Sequence, residues 1–153
     1  MFRRICNISR SAFIRLQEDE QFASSKESNY FISIHGTDPS GDNTSPLILS
    51  NIWKDGIVVC FDDTEHNSAI QDNILKIITI VESMQIVNFL KRINDDPRQL
   101  NLIIHCFAGI SRSAAVGKFC NDVFKLNLHN YNRLSLYNRY VYSMLLDAWL
   151  NCL

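Results

Sequence analysis

The sequence lacks several features that would assign it to a broad class of proteins. Charge of one sign is not in excess, since 15 basic and 16 acidic residues leave a formal net charge of −1, so no overall field attracts nucleic acid or an anionic membrane. Only 5 glycines and 3 prolines occur in 153 residues, which excludes collagen-like and linker-like composition. The most apolar stretch, residues 74–90, contains Lys76, Glu82 and Gln85, so we interpret it as a packed helix rather than a membrane span. We expect neither a nucleic-acid nor a membrane partner.

Cysteine and histidine do not occur in the spacings typical of disulfide frameworks or metal sites. The five cysteines are odd in number and form no Cys-x-x-Cys pair, which argues against a secreted disulfide scaffold and for a reducing compartment. The four histidines are scattered and show no zinc-like spacing with each other or with the cysteines. We therefore expect no metal, no cofactor and a cytoplasmic protein.

The first 17 residues contain four arginines and no acidic residue before Glu18, a composition that also occurs in mitochondrial presequences. Residues 4–8 instead fit a first strand, followed by a helix that starts near Ser11. Removal of this segment would take an apolar strand from a small core, so we interpret it as part of the fold rather than as a targeting segment. No repeat or linker divides the sequence, and we expect a single domain that spans residues 1–153.

Strand-like and helix-like segments alternate along the chain. Runs rich in β-branched, aromatic and other apolar residues predict strands at residues 30–34, 56–61 and 100–104. Apolar residues at helical intervals predict helices at residues 74–93, 113–125 and 137–150. This alternation predicts an α/β fold with a central, mainly parallel sheet flanked by helices. Ligands of such sheets bind at the carboxyl ends of the strands.

The segment from His105 to Ser113 carries the chemical signal. A predicted buried strand ends at Cys106, and after five intervening residues Arg112 stands at the start of a predicted helix. The turn can direct consecutive N–H groups inward, where the helix N-terminus adds partial positive charge, and Gly109 permits the dihedral angles that such a turn needs. The guanidinium can hold two phosphate oxygens, and the same field favours the thiolate form of the cysteine. These residue types predict an anion-binding loop around a nucleophile.

Two neighbours of the nucleophile can support it, and two other enzyme classes fit the segment less well. His105 can fix the loop by donating to a backbone carbonyl, and Ser113 can donate to the thiolate. Gly109-Ile-Ser111 begins the nucleophile elbow of a serine hydrolase, but the elbow requires glycine where this chain has a second serine. No G-x4-G-K-[ST] motif occurs, which excludes a nucleotide-binding P-loop.

The run His-Cys-(five residues)-Arg-Ser, with Ala-Gly-Ile-Ser inside it, resembles the cysteine-dependent protein tyrosine phosphatase superfamily, and most of all its small dual-specificity branch of bacterial and bacteriophage type. The resemblance implies a phosphatase-type phosphate-binding loop between a strand and a helix, formed by Phe107, Ala108, Gly109, Ile110, Ser111 and Arg112. It implies that Cys106 forms a cysteinyl-phosphate while Arg112 and the loop N–H groups hold the equatorial oxygens. The implied substrate is a phosphoprotein that carries phosphotyrosine, with phosphoserine and phosphothreonine also admitted.

The resemblance further implies an aspartic acid, on a separate loop, that protonates the leaving oxygen and then activates water. Asp63 is the first candidate, because it follows a predicted strand and can reach the same edge of the sheet. Asp62 is the alternative, since neighbouring residues of an extended chain point in opposite directions. Asp72 falls at a predicted helix start, where an N-cap is the simpler role. Asp95 and Asp96 precede the nucleophile's strand and should lie at the opposite edge.

Several alternatives remain open at this stage. One is a catalytically weak pseudophosphatase that keeps the loop and binds phosphopeptides. Another is a phosphatase of lipid or RNA ends, although the loop side chains between Cys106 and Arg112 are uncharged, whereas polyphosphorylated inositides call for lysine there. Cys60, at the end of another predicted strand, is a candidate for a protective disulfide with oxidised Cys106. The sequence names neither the physiological substrate nor the oligomeric state.

Overall fold

The computed structural model describes residues 2–37, 47–64, 75–126 and 135–152. The elements within these ranges are, in chain order, β1 (Phe2–Ser9), α1 (Arg10–Leu16), α2 (Glu20–Ala23), a 3-10 turn (Lys26–Ser28), β2 (Asn29–His35), β3 (Asp55–Cys60), α3 (Ile80–Asn94), β4 (Leu100–Cys106), α4 (Arg112–Phe124) and α5 (Arg139–Asn151).

The four strands form one sheet in the order β1-β4-β2-β3, and every neighbouring pair is parallel. This confirms the predicted α/β fold with a mainly parallel sheet. The central strands β2 and β4 are buried along almost their whole length, whereas most residues of the edge strands β1 and β3 are partly or fully exposed. Because all four strands run in the same direction, their carboxyl ends lie along one edge, at Ser9, Cys106, His35 and Cys60.

Successive residues of the central strands enter two hydrophobic clusters on opposite faces of the sheet. Ile104 and Cys106 belong to the larger cluster, which also contains residues of α3, α4 and α5. Ile103 belongs to a smaller cluster with Phe13 of α1. His105 follows the same alternation, since the centroid of its ring lies 4.2 Å from that of Phe13. The end of β4 therefore directs an imidazole toward α1 and a thiol toward α4.

The predicted N-terminal strand is present and longer than expected. Residues 4–8 lie within β1, which pairs with β4 from Phe2 to Ser9. Ser9 caps α1, because its hydroxyl accepts the N–H of Ala12 at 3.2 Å, so this helix begins one residue before Ser11. The short helix α2 was not predicted, although Asp19 is a typical N-cap and accepts the N–H of Phe22 at 2.7 Å.

The predicted helix at residues 74–93 begins too early. Ile74 lies outside the described residues, and the helix α3 starts only at Ile80. Thr79 and Glu82 form a capping box, the S/T-x-x-E pattern that marks a helix start in a sequence. Lys76 lies outside the helix because both of its backbone groups bind Asp62. The N–H of Lys76 donates to a carboxylate oxygen of Asp62 at 2.7 Å, and the carbonyl of Lys76 accepts the backbone N–H of Asp62 at 2.7 Å.

The helices packed on the sheet are short. The helix α3 has 15 residues, and among the described residues no helix combines the length and the apolarity that crossing a bilayer requires.

Candidate active site

Cys106 ends β4 and lies in the turn before α4, with its side chain almost fully buried at 2% exposure. The N–H of Gly109 donates to its Sγ at 3.2 Å, and the Oγ of Ser113 lies 3.2 Å from the same sulfur. Both groups can donate hydrogen bonds to a thiolate. The predicted contact between Ser113 and the cysteine is therefore present, and the turn brings the first turn of α4 to the sulfur.

Gly109 has a positive φ of 75°, a conformation that an L-residue rarely adopts. A Cβ at this position would lie 2.4 Å from the carbonyl carbon of Ile8 and 2.5 Å from the backbone nitrogen of Ser9. The glycine is therefore required both for its dihedral angles and for the close approach of the loop to β1. Asn7 of β1 supports the same peptide, since its Nδ2 donates to the Gly109 carbonyl at 2.9 Å.

Arg112, at the start of α4, is a buried cation with 5% exposure. Its Nη1 donates to the carbonyl of Phe61, directly after β3, at 2.9 Å. Its Nε is buried and has no hydrogen-bond partner among the described residues, and no ion pair within the described ranges involves its guanidinium. A buried charge and an orphaned buried donor are both unfavourable unless a ligand compensates them. This arrangement fits a site whose missing partner is an anion.

His105 is fully buried, between β2 and α1. Its Nε2 lies 2.7 Å from the hydroxyl of Ser33, and its Nδ1 lies 3.5 Å from the carbonyl of Cys106. Burial lowers the pKa of His105 to about 4, so the ring is neutral at pH 7. The predicted contact of His105 with a backbone carbonyl is therefore present, although it is long. In the tautomer in which Nε2 accepts from the Ser33 hydroxyl, Nδ1 carries the hydrogen and donates to this carbonyl.

The side chain of Asp63, three residues after the end of β3, is exposed. Its Oδ1 accepts the hydroxyl of Ser111 at 2.7 Å and the Nδ2 of Asn138 at 2.9 Å. Ser111 is the residue before α4, and its side chain does not cap the helix. The segment after β3 is thus joined by hydrogen bonds to the loop between Cys106 and Arg112, as the topology of the sheet predicts.

The neighbouring carboxylate of Asp62 faces a different set of partners. It is buried and accepts the backbone N–H of Thr37 at 2.8 Å, the hydroxyl of Thr37, and the backbone N–H of Lys76 at 2.7 Å. Burial opposes its ionisation, but the hydrogen bonds from Thr37 and Lys76 outweigh burial and lower the pKa of Asp62. Both of its oxygens are used in holding the chain, so Asp63 is the better placed of the two candidate acids.

The remaining candidate acids lie elsewhere. Asp96 precedes β4 and accepts hydrogen bonds from Tyr30 and Arg98, at the edge of the sheet opposite to Cys106. Asp95 is its neighbour on the same edge, as the sequence predicts. Asp72 lies outside the described residues. No group of three or more His, Cys, Asp or Glu side chains that could hold a metal occurs among the described residues.

The rim of the loop is apolar. Phe107 and Ile110 are 44% and 50% exposed, and a cavity of about 410 Å³ adjoins the loop between Ile110, Leu136 and the end of β1. A second cavity, of about 610 Å³, lies at the opposite edge of the sheet among ion-paired residues such as Arg98 and Asp96. Because the second cavity is remote from Cys106 and Arg112, we take the loop as the candidate site.

The expectation of a disulfide between Cys60 and Cys106 is wrong for this fold. The two residues end β3 and β4, which are separated by β2. Two interstrand spacings amount to about 10 Å, beyond the Cα separation of about 7 Å that a disulfide spans. None of the five cysteines, all within the described ranges, forms a disulfide.

Three residues of the site were missed by sequence reasoning: Asn7, Ser33 and Asn138. Ser33 is a polar residue in an otherwise apolar strand segment, which is a sign of a buried hydrogen bond. Asn138 stands before a helical pattern and could have been recognised as an N-cap. Nothing in the sequence around Asn7 indicates its contact with the loop.

Fold and site together define an α/β protein in which a tight loop joins a buried cysteine to a buried arginine. Comparison with models of known protein families finds no match, and comparison with curated proteins finds none either. Among solved structures, the crystal structure of Tk-PTP in the active form is similar, with 11% identity, a TM-score of 0.48, and coverage of 86% of this chain and 85% of that chain. A similarity of this size assigns no function, so the function has to be argued from the site itself.

Proposed function

We propose that this chain is a phosphoric monoester hydrolase that acts on phosphoproteins through a cysteinyl-phosphate intermediate. The observation that carries the proposal is the buried Arg112, whose Nε lacks a partner among the described residues, on the same short turn as Cys106. A nucleophile and a buried cation with an unpartnered donor in one turn fit an ester that carries its own negative charge.

In the first step, Sγ of Cys106 attacks phosphorus and the bond from phosphorus to the leaving oxygen breaks. Asp63 gives its proton to that oxygen. The guanidinium of Arg112 and the N–H groups of the loop hold the nonbridging oxygens, where negative charge is concentrated in the transition state.

In the second step, water attacks phosphorus and the bond between sulfur and phosphorus breaks. The carboxylate of Asp63 takes the proton of the water, which returns the acid to its starting form. Ser113 donates to the departing thiolate of Cys106, so the site ends as it began and inorganic phosphate is released.

His105 has a supporting role in this proposal. Because its pKa is about 4, it carries no charge at pH 7 and adds no field at the sulfur. Its contacts with Ser33 and with the Cys106 carbonyl instead fix the end of β4. The supporting role follows from burial, which disfavours the charged imidazolium.

The rim of the site favours an aryl phosphate. The exposed apolar side chains of Phe107 and Ile110 suit an aromatic ring better than a polyphosphorylated head group, and phenolate is a better leaving group than an alkoxide. We infer that phosphotyrosine is the preferred substrate, with phosphoserine and phosphothreonine turned over more slowly. The mechanism requires a reduced thiol, which fits a reducing compartment such as the cytoplasm.

The test is an assay of the purified chain in EDTA and reductant, with para-nitrophenyl phosphate and with phosphotyrosine, phosphoserine and phosphothreonine peptides. Turnover should be independent of metal and should fall on the order of a thousandfold or more in Cys106→Ser. The matched control is Cys60→Ser, which changes a cysteine at the same edge of the sheet and should keep turnover.

Other results would lead to different functions. Phosphopeptide binding that requires Arg112, without turnover, would make the chain a binding module. Absence of both turnover and phosphopeptide binding would exclude a phosphoprotein substrate and direct the assay to lipid and RNA ends.

A further inference from the structure

Asn138, just before α5, contacts both the phosphate-binding loop and the proposed acid. We propose that Asn138 is a positioning residue that holds Oδ1 of Asp63 as a hydrogen-bond acceptor, so that the catalytic proton is carried on Oδ2. The inference rests on the proposed function, because it assigns a partner to the acid of that reaction.

The contacts of Asn138 join three parts of the site. The residue is 3% exposed, and its backbone N–H donates to the carbonyl of Ser111 at 3.2 Å. Its Oδ1 accepts the N–H of Val141 at 3.0 Å, which caps α5. Its Nδ2 donates to Oδ1 of Asp63 at 2.9 Å and lies 3.4 Å from the carbonyl of Thr64.

The orientation of the amide follows from these partners. The N–H of Val141 can only donate, so the amide oxygen of Asn138 has to face it. The NH2 group therefore faces Asp63, and an NH2 group has no lone pair to accept a proton from a carboxylic acid. Ser111 donates its hydroxyl to the same Oδ1 at 2.7 Å. With two donors directed at Oδ1, the proton of the acid form resides on Oδ2.

Such a contact matters because Asp63 is exposed and lies in irregular chain after β3. A general acid has to come within about 2.6–3.2 Å of the oxygen that it protonates, and an exposed side chain samples several rotamers. The buried amide of Asn138, at the start of α5, restricts the carboxyl group of Asp63 to one of these rotamers. The hydroxyl of Ser111 is a weaker restraint, because it can rotate to other acceptors.

The experiment is a double-mutant cycle with Asn138→Ser and Asp63→Asn, measured with two substrates. Serine keeps an N-cap oxygen for α5 but is too short to reach Asp63 as well. The quantity measured is kcat/KM, which covers the steps up to departure of the leaving group, because the second step uses Asp63 in the same way for every substrate. With phenyl phosphate, whose leaving group needs the acid, Asn138→Ser should lower kcat/KM by about tenfold or more. With para-nitrophenyl phosphate, which leaves readily without the acid, the loss in kcat/KM should be much smaller.

In the Asp63→Asn background, Asn138→Ser should cause no further loss with phenyl phosphate, because the acid through which it acts is absent. Asp19→Ala provides the matched control, since it removes another N-cap, that of α2, at the opposite edge of the sheet. This control should show no dependence on the leaving group.

Two results separate this proposal from the proposed function. Equal losses of kcat/KM with both substrates, or losses of kcat/KM that add in the double variant, would overturn the positioning role while the phosphatase function stands. If the unmutated chain shows no turnover, or if its turnover survives Cys106→Ser, both the positioning role and the phosphatase function are overturned.

Discussion

At the scale of single residues, the site depends on one donor that the surrounding protein does not satisfy and on one side chain that has to be missing. The Nε of Arg112 is buried without a hydrogen-bond partner among the described residues, which is unfavourable unless a bound anion accepts from it. Gly109 contributes by having no side chain, because β1 occupies the space where a Cβ would lie.

Gly109→Ala tests whether this close approach is required. The methyl group would lie 2.4 Å from the backbone of Ile8 at a φ of 75°, so loop and strand have to move apart. We expect a loss of at least about 2 kcal/mol in the free energy of unfolding and loss of most phosphate-analogue binding. Urea denaturation and vanadate inhibition measure the two effects.

The control for this prediction is Ala108→Gly, at an exposed position of the same loop, which should change stability by less than about 1 kcal/mol. Unchanged stability and vanadate affinity in Gly109→Ala would mean that the loop does not need its present contact with β1.

At the scale of elements, the important feature is how the segment after β3 is attached. Asp62 holds it to the residues before α3 and to Thr37 after β2, and Asp63 then extends to the loop before α4. Adjacent carboxylates therefore have separate roles, one in fixing the chain and one at the site. Parallel strands make this possible, because their ends meet at one edge.

A comparison of Asp62→Asn with Asp63→Asn tests this division. In Asp62→Asn, the NH2 group of the new side chain has to face the backbone N–H of either Thr37 or Lys76. Two donors then meet, and an unsatisfied buried group costs on the order of 1–3 kcal/mol. We expect this variant to lose stability in urea denaturation. The ratio of kcat/KM for phenyl phosphate to kcat/KM for para-nitrophenyl phosphate should stay at its wild-type value.

Asp63→Asn should behave in the opposite way, because Asp63 is exposed. Its stability should stay within about 0.5 kcal/mol of the wild type, while kcat/KM for phenyl phosphate falls about a hundredfold and kcat/KM for para-nitrophenyl phosphate falls much less. A change in leaving-group dependence in Asp62→Asn, with none in Asp63→Asn, would exchange the two assignments.

At the scale of the whole molecule, the titration of buried groups makes the fold sensitive to acid. Burial lowers the pKa of His105 from 6.5 to about 4, so between these values the unfolded chain binds a proton that the native state does not. Burial opposes ionisation of Glu82, but hydrogen bonds from Lys76 and Thr79 outweigh it and lower its pKa from 4.5 to about 2. Both groups contribute full stability at neutral pH and lose it as the pH falls.

We therefore expect the free energy of unfolding to fall by on the order of 2 kcal/mol between pH 7.5 and pH 5 through His105. A further loss between pH 4.5 and pH 2 comes from Glu82. Urea denaturation across this range measures the curve, and His105→Gln provides the comparison, since glutamine does not titrate. The slope between pH 7.5 and pH 5 should be smaller in this variant, and equal slopes would remove His105 as its source.

The parts of the fold that could be predicted are those that local patterns specify. The apolar runs of β2, β3 and β4 and the helical spacing of α4 and α5 are properties of neighbouring residues, so the α/β class followed from the sequence. The start of α3 was predicted too early, although the capping box of Thr79 and Glu82 marks it in the sequence. What the sequence does not show is that Asp62, far from Lys76 in the chain, binds the backbone before this helix.

The sequence by itself determined the loop that joins Cys106 to Arg112, because its cysteine, glycine and arginine lie within a few residues and one turn brings them together. The tertiary structure decided what surrounds the loop. The separate partners of Asp62 and Asp63, the contact of Asn138 with Asp63, the support of Gly109 by Asn7, and the distance between Cys60 and Cys106 all depend on which strands and helices become neighbours. Such contacts join residues distant in the chain, and no pattern of adjacent residues encodes them.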